Sequence, residues 1–123
     1  MTPEPVELRL NRAERRLDVS FDDGSRFALD AEYLRVESPS AEVQGHTPEQ
    51  KQTVAGKRGV GIVALEPVGR YAVQIVFDDG HDTGIFSWAY LHELGRERAD
   101  KWHAYIAALA EKGLTRGPSV DRD

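Results

Sequence analysis

The residues best suited to chemistry lie in an acidic turn at residues 78–83, which reads Asp-Asp-Gly-His-Asp-Thr. Histidine beside carboxylates occurs both at metal sites and at sites of acid–base catalysis. Together with His46 from a separate segment, His81, Asp79 and Asp82 form a candidate nitrogen and oxygen ligand set for zinc or iron. The alternative is a solvated hairpin tip, because Asp and Gly are also the residues that a tight turn requires. The sequence leaves both interpretations open.

Two smaller groups of residues could contact a partner. Lys57 and Arg58 lie between glycines, which is typical of a solvated loop or of a contact for an anion or a protein. Trp102 and Tyr105 lie on the last predicted helix, where they belong either to the core or to an exposed aromatic edge that suits an interface. For nucleophilic catalysis the sequence offers no cysteine and no Gly-x-Ser-x-Gly motif, so stand-alone catalysis is not expected.

The elements that position these residues are two hairpin units and two helices. Apolar residues alternate on either side of an Asp-Asp-Gly turn at residues 22–24 and again at residues 78–80, which predicts antiparallel strands. Ser87 is suited to cap a short helix near 88–94 that ends at Gly95, and a second apolar stripe predicts a C-terminal helix near 97–112. We therefore predict an α+β fold in which the two β-hairpin units form a small, mostly antiparallel sheet.

Length and spacing predict one domain at residues 1–113, followed by a disordered tail at residues 114–123. Between the hairpin units, residues 37–59 lose all apolar periodicity. A connection of this length inside a compact domain is usually functional or mobile. We therefore expect this connection to contribute to any contact surface.

Composition limits the classes of function. The net charge of −5 argues against general nucleic-acid binding, which relies on clustered cations. No stretch approaches the roughly 20 apolar residues of a membrane span. With no cysteine and no signal sequence, the chain is predicted to be cytoplasmic.

An internal similarity links the two hairpin units. Phe-Asp-Asp-Gly at residues 21–24 is followed by Tyr-Leu at 33–34, and the same residues recur at 77–80 and 90–91. Shared turn chemistry accounts for part of this similarity. A duplicated half-domain is the alternative.

Two segments carry a family resemblance. Residues 34–43, Leu-Arg-Val-Glu-Ser-Pro-Ser-Ala-Glu-Val, and residues 76–88, Val-Phe-Asp-Asp-Gly-His-Asp-Thr-Gly-Ile-Phe-Ser-Trp, resemble the gamma-butyrobetaine hydroxylase-like N-terminal domain. The likeness spans residues 6–95, and the Tyr-Leu and Leu-Gly pairs at residues 90–91 and 94–95 belong to it. In eukaryotic hydroxylases this domain precedes a catalytic domain that depends on 2-oxoglutarate and iron, and that domain has no counterpart in these 123 residues.

The resemblance implies a set of zinc ligands and an accessory role. In those hydroxylases three cysteines and one histidine hold zinc. The histidine corresponds to His81, and the cysteine positions correspond to Ser38, Ser40 and Val43. Similar domains stand alone in bacteria or are fused to P-loop iron–sulfur carriers, which implies a protein partner such as a metabolic, iron–sulfur or oxygenase-related enzyme.

We therefore predict a non-catalytic accessory or interaction domain that needs no cofactor. The alternative is a zinc- or iron-binding module centred on His81.

Overall fold

The two hairpin units form two separate sheets. The computed structural model describes residues 3–117. Each sheet is antiparallel and has three strands in chain order. The strands are β1 Pro5–Asn11, β2 Arg16–Phe21 and β3 Arg26–Asp30 in the first sheet, and β4 Ile62–Val68, β5 Ala72–Phe77 and β6 Ile85–Ser87 in the second. The predicted α+β class and antiparallel pairing are confirmed, and each unit builds its own sheet where the sequence predicts one shared sheet.

A pair of helices follows each sheet. They are α1 Ala31–Val36, α2 Ala41–Gln44, α3 Trp88–Arg96 and α4 Arg98–Glu111, and a 3₁₀ turn lies at Pro48–Gln50. Ser87 caps α3 as predicted, because its hydroxyl accepts a hydrogen bond of 3.1 Å from the Tyr90 N–H. No helix in residues 3–117 combines the length and the apolar character needed to cross a membrane.

Gly95 has a different role from the predicted one. The sequence predicts that it ends α3, but the helix continues to Arg96. The ring of Phe27 packs against Gly95 at the position that a Cβ atom would occupy. The glycine is therefore required for close approach of the first sheet to α3, and not for a helix stop.

The two Asp-Asp-Gly turns have the same geometry. The carboxylate of Asp23 accepts a hydrogen bond of 2.9 Å from the Ser25 N–H, and that of Asp79 accepts one of 3.1 Å from the His81 N–H. The turn glycines have φ angles of 89° and 91°, in the left-handed region that favours glycine. The sequence similarity between the two units therefore corresponds to two equivalent turns.

The equivalence extends to the lengths of the first two strands of each unit and to the residues at which the helices begin, although the helices of the second unit are longer. β1 and β4 each have seven residues, β2 and β5 each have six, and a register shift follows the first paired residue of both β1 and β4. α1 and α3 begin at residues 31 and 88, and α2 and α4 begin at residues 41 and 98, so each pair is offset by 57 positions. The offset across the strands β2 and β5 is 56. We call the unit from β1 to α2 the first half and the unit from β4 to α4 the second half.

The halves contact each other reciprocally. The Tyr33 hydroxyl of the first half donates a hydrogen bond of 2.7 Å to the carbonyl of Leu94. The Tyr90 hydroxyl of the second half donates one of 2.6 Å to the carbonyl of Glu37. Both donors and both acceptors are 57 positions apart, so the two bonds are the same contact made twice. Such exchange is the pattern of a twofold axis, and the domain is built as an internal pseudo-dimer.

Two hydrophobic clusters stabilise this arrangement. The larger cluster collects buried side chains from both sheets and from α1 and α3. The smaller one consists of Val36, Tyr105 and Leu109, against which Val54 and Trp102 pack. Through this cluster part of the long connection is held against α4.

The chain after α4 is also held in place. The Gly56 N–H donates a hydrogen bond of 2.9 Å to the Thr115 carbonyl, and the Arg58 N–H donates one of 3.0 Å to the Arg116 carbonyl. Residues 114–117 thus form part of the folded domain, in contrast to the disordered tail that the sequence predicts. Residues 118–123 of that predicted tail lie outside the described residues.

Candidate functional site

His81 lies in a buried polar cluster. It directly follows the β5–β6 turn, and only 8% of its surface is exposed. Its Nε2 atom lies 2.9 Å from the Ser38 hydroxyl and 3.4 Å from the Ser40 hydroxyl, and its Nδ1 atom lies 3.3 Å from a Glu42 carboxylate oxygen. The Glu42 carboxylate favours the imidazole tautomer that carries its proton on Nδ1. In this tautomer Nε2 accepts a hydrogen bond from the Ser38 hydroxyl. We call these four residues the His81 cluster.

The cluster assembles the positions that the family resemblance singles out. Ser38 and Ser40 contact the imidazole directly, and Val43 follows them in α2 with 2% of its surface exposed. Their chemistry does not fit a zinc site, because neutral hydroxyls are poor ligands and valine has no donor atom. Hydrogen bonds to the two hydroxyls satisfy the imidazole instead.

The carboxylate of Asp79 binds two cationic side chains. Its Oδ2 atom accepts a hydrogen bond of 2.8 Å from Arg35 Nε and one of 2.6 Å from Lys57 Nζ, while Oδ1 accepts from the His81 N–H. Partial burial alone would raise the pKa of Asp79. The hydrogen bonds from Lys57, the His81 N–H and Arg35 outweigh that effect and lower the pKa to about 2. The carboxylate therefore stays ionised and holds α1 and the long connection against the second turn.

No hydrogen bond or ion pair joins the side chains of the other two predicted ligands, Asp82 and His46, to His81 within residues 3–117. Asp82 is exposed, and its carbonyl oxygen accepts a hydrogen bond of 2.5 Å from the Gln74 amide. His46 is also exposed, and its N–H donates to the Gln50 side chain at 2.8 Å. Within residues 3–117 no three His, Cys, Asp or Glu side chains converge as a metal site would need. Metal binding through His81, Asp79, Asp82 and His46 stays a prediction.

The two predicted basic contacts take part in internal structure. Lys57 is engaged by Asp79, and 23% of its side chain is exposed. The backbone N–H of Arg58 pairs with the chain after α4, and its Nε atom is buried without a hydrogen-bond partner among residues 3–117. Neither side chain forms an open cationic patch.

The two predicted aromatic contacts belong to the smaller hydrophobic cluster. Tyr105 is 6% exposed and its hydroxyl donates a hydrogen bond of 2.6 Å to the Val54 carbonyl, so it does not form the exposed edge considered from sequence. Trp102 is partly buried against Tyr33 and Tyr105, and the guanidinium of Arg116 lies 5.2 Å from its ring centre. These contacts pack α4 against α1, the long connection and the chain that follows α4.

Arg35 and His92, which the sequence does not single out as functional, occupy equivalent positions. Arg35 binds Asp79 of the second half, and His92 Nε2 lies 2.9 Å from the Asp23 carboxylate of the first half. The helix residues are 57 positions apart and the aspartates are 56 apart. Each half therefore uses a nitrogen side chain of its helix to bind the turn of the other half. Alignment of the two Tyr-Leu pairs could have identified this correspondence.

Protonation of His81 provides a test of the cluster. Burial, followed by the positive charge of Arg35, lowers the pKa of His81 below its usual 6.5. The imidazole of His81 therefore binds a proton more readily in the unfolded chain than in the folded chain. The stabilisation that the neutral imidazole gives the fold is complete above pH 6.5, and it is lost as the pH falls from there toward the pKa of His81 in the folded chain.

We expect the free energy of urea unfolding to fall between about pH 7.5 and pH 5, and the fall to be smaller in His81→Gln. The contribution of Asp79 lies in a lower window, between its usual 3.8 and about 2, and does not interfere. An identical pH dependence in the wild type and His81→Gln would contradict the assignment. His103→Gln, on the exposed side of α4, is the matched control.

Comparison with known proteins identifies the family of this chain. The sequence pattern named "Gamma-butyrobetaine hydroxylase-like, N-terminal" matches residues 8–92. The chain belongs to this family. The match runs from within β1 to within α3 and includes β2 to β6, α1, α2 and the His81 cluster, so the family resemblance seen in the sequence is confirmed. No curated protein matches the chain.

Solved structures agree with membership of the gamma-butyrobetaine hydroxylase-like N-terminal family. Two protein structures determined in solution by NMR superimpose with TM-scores of 0.82 and 0.83, at 41% and 47% sequence identity. They cover 100% and 98% of this chain, and the match spans 98% and 90% of their own lengths. A crystal structure from Acidithiobacillus ferrooxidans, of a DUF971 family protein with unknown function, has a TM-score of 0.63 and 44% identity over 74% of this chain and 91% of its own.

Proposed function

We propose that this domain is a non-catalytic interaction module whose contact surface is the outer face of the second sheet. That face is formed by the side chains of β4, β5 and β6 that point away from the main core. We call it the apolar face, and besides Ser87, which caps α3, its members are Ala64, Glu66, Val68, Ala72, Gln74, Val76 and Ile85. None of its apolar members belongs to either hydrophobic cluster of residues 3–117, and Ile85 is 49% exposed.

The first half provides an internal reference for this face. The equivalent positions of the first sheet are mostly charged or polar, as expected where an antiparallel sheet faces water. In the order given above, those residues are Glu7, Arg9, Asn11, Arg16, Asp18, Ser20 and Ala28. The same backbone thus carries a solvated face in one half and an aliphatic face in the other. Ile85 is exposed, and Ala64, Val68, Ala72 and Val76 are half-buried. The difference between the two outer faces carries the proposal, because apolar side chains that a sheet leaves outside the core mark interaction sites.

The polar residues support a non-catalytic role. The Asp79 carboxylate binds both Lys57 and Arg35, and the imidazole of His81 is bound to two hydroxyls. These side chains hold the two halves together. The hydroxyls of Ser38 and Ser40 and the imidazole of His81 are all buried, with 0%, 6% and 8% of each residue exposed. The family resemblance implies that the partner is a metabolic, iron–sulfur or oxygenase-related enzyme. A cytoplasmic location is proposed with it, supported by the absence of cysteine.

A matched pair of lysine substitutions tests the contact surface. Val76→Lys places a charge on the apolar face, and Ser20→Lys places the same charge at the equivalent position of the first sheet. Both positions point away from the core, so we expect each melting temperature to stay within about 2 °C of the wild type. Proteins that the immobilised wild type retains from a lysate of the native cells should be lost with Val76→Lys and kept with Ser20→Lys. Equal retention by all three forms would refute the proposal.

A further inference from the structure

We infer that α4 and residues 112–117 form a hinged cover over α1, which opens about Glu97 as one unit while both sheets stay folded. Opening uncovers the side chains of Glu32 and Val36 in α1. The inference does not depend on the proposed function, because it concerns α1 and α4 and not the apolar face. We call α4 together with residues 112–117 the cover.

The main core is complete without the cover. The buried members of the larger hydrophobic cluster lie between Leu17 and Leu94 in the chain, and the partly buried Trp102 is the one residue of the cover that packs against them within residues 3–117. The family match ends at residue 92, before α4 begins. Parts of a fold that share few buried contacts open independently of each other. The cover can therefore separate without disrupting the core that holds the sheets.

The cover packs against α1 through a small apolar surface. Its buried side chains in α4 are Tyr105 and Leu109, which meet Val36 in the smaller hydrophobic cluster. Beside them Lys112 Nζ donates a hydrogen bond of 3.0 Å to the Thr53 hydroxyl of the long connection. Separation of the cover breaks these contacts and leaves the larger cluster in place.

Arg116 binds the far end of the cover to α1. Its guanidinium donates hydrogen bonds of 2.7 Å and 2.6 Å to the two carboxylate oxygens of Glu32, whose side chain is only 8% exposed. The Leu114 N–H donates a hydrogen bond of 2.9 Å to the Leu109 carbonyl, so the chain after α4 is fixed to the last turn of the helix. α4 and Arg116 therefore move together, and Glu32 gains access to water when they leave.

Glu97 is the hinge. It is the single residue between α3 and α4, and its φ and ψ angles are −106° and 20°. The Glu97 N–H donates to the Glu93 carbonyl and the Lys101 N–H donates to the Glu97 carbonyl, both at 2.9 Å, so each helix is intact up to this residue. Hinge motions concentrate at a few residues at the ends of elements. Rotation at Glu97 therefore moves α4 without unwinding it.

Hydrogen exchange of the full chain, followed by NMR, tests the opening. We expect the protection factors of the α4 amides to be at least about tenfold lower than those of the slowest amides in β2 and β5, because the cover opens at a smaller free-energy cost than the sheets. Ile75→Val weakens the main core at a residue that is 0% exposed. It should lower protection in β2 and β5 about fivefold and leave α4 unchanged.

Arg116→Gln tests the contact that closes the cover. This variant leaves the buried carboxylate of Glu32 without its cation, so we expect protection of the α4 amides to fall about tenfold. Arg9→Gln is the matched control, because the ion pair between Arg9 and Glu7 is exposed. It should change the protection of α4 by no more than about twofold.

Cysteine labelling measures what the opening uncovers, since the chain has no cysteine of its own. Val36→Cys lies under the cover and Val19→Cys lies in the main core, and the two valines are 2% and 1% exposed. We expect a thiol-specific disulfide reagent to modify position 36 about tenfold faster than position 19. Equal protection of α4 and the sheets, equal acceleration of both by Ile75→Val, equal labelling at the two positions or no effect of Arg116→Gln on α4 would each overturn the inference.

Discussion

Replacing Asp79 with alanine is expected to lower the free energy of unfolding by about 2–4 kcal/mol, measured by urea denaturation at neutral pH. The carboxylate binds the side chains of Arg35 and Lys57, which are only 12% and 23% exposed. Removal of Asp79 leaves a largely buried guanidinium without its partner. Removing one partner of a buried ion pair lowers the free energy of unfolding by more than the intact pair contributes to it, because the remaining charge stays desolvated.

Two companion variants separate this explanation from a general effect of truncation. Arg35→Met in the Asp79→Ala background should recover part of the lost stability, since it removes the uncompensated charge. Asp23→Ala, the equivalent change in the first half, should cost less, because the side chain of Asp23 is 40% exposed. Equal losses for Asp79→Ala and Asp23→Ala, with no recovery from Arg35→Met, would show that the ion pair is not the cause.

Changing Ser38, Ser40 and Val43 together to cysteine is expected to create a zinc site with about one ion per chain. Two of these side chains already contact Nε2 of His81, and the third follows in α2. Thiolates and imidazole form a ligand set that zinc prefers. Zinc should also raise the unfolding temperature of this variant, because only the folded chain brings the four ligands together.

Metal analysis of untagged protein supplies the controls. The wild type should contain far less than one zinc or iron per chain, since its hydroxyls and valine do not replace thiolates. Adding His81→Ala to the triple variant should remove the bound zinc. Near-stoichiometric metal in the wild type that disappears in His81→Ala would instead establish metal binding as the function of the cluster. Absence of zinc from the triple variant would show that the four positions are not close enough to share an ion.

The local features of the fold could be predicted because they depend on neighbouring residues. Alternating apolar residues and the Asp-Asp-Gly turns placed the strands, and Ser87 marked the start of α3 correctly. Features that depend on distant residues could not be predicted. The role of Gly95 is set by Phe27, far away in the chain, and the order of residues 114–117 is set by hydrogen bonds to residues 56–58.

The candidate site was predictable only in part for the same reason. The acidic turn and the correspondence of Ser38 and Ser40 to family positions led to His81, and the structure brings these three residues together. The partner of Asp79 could not be inferred, because Arg35 is 44 positions away and lies in a different half. The apolar face was missed because alternating strands are usually assumed to face water on one side. Its character becomes clear only when it is compared with the first sheet.

The reciprocal bonds between the halves have a consequence for how this domain tolerates change. Interior contacts such as the Tyr33 and Tyr90 bonds occur twice, so the loss of one leaves an equivalent bond in place. The exteriors of the two sheets are not linked in this way. Most positions on the outer face of the first sheet are charged or polar, and most of the equivalent positions of the second sheet are aliphatic. A repeated half thus allows the interior contacts to be kept in both copies while the outer face of one copy differs from that of the other.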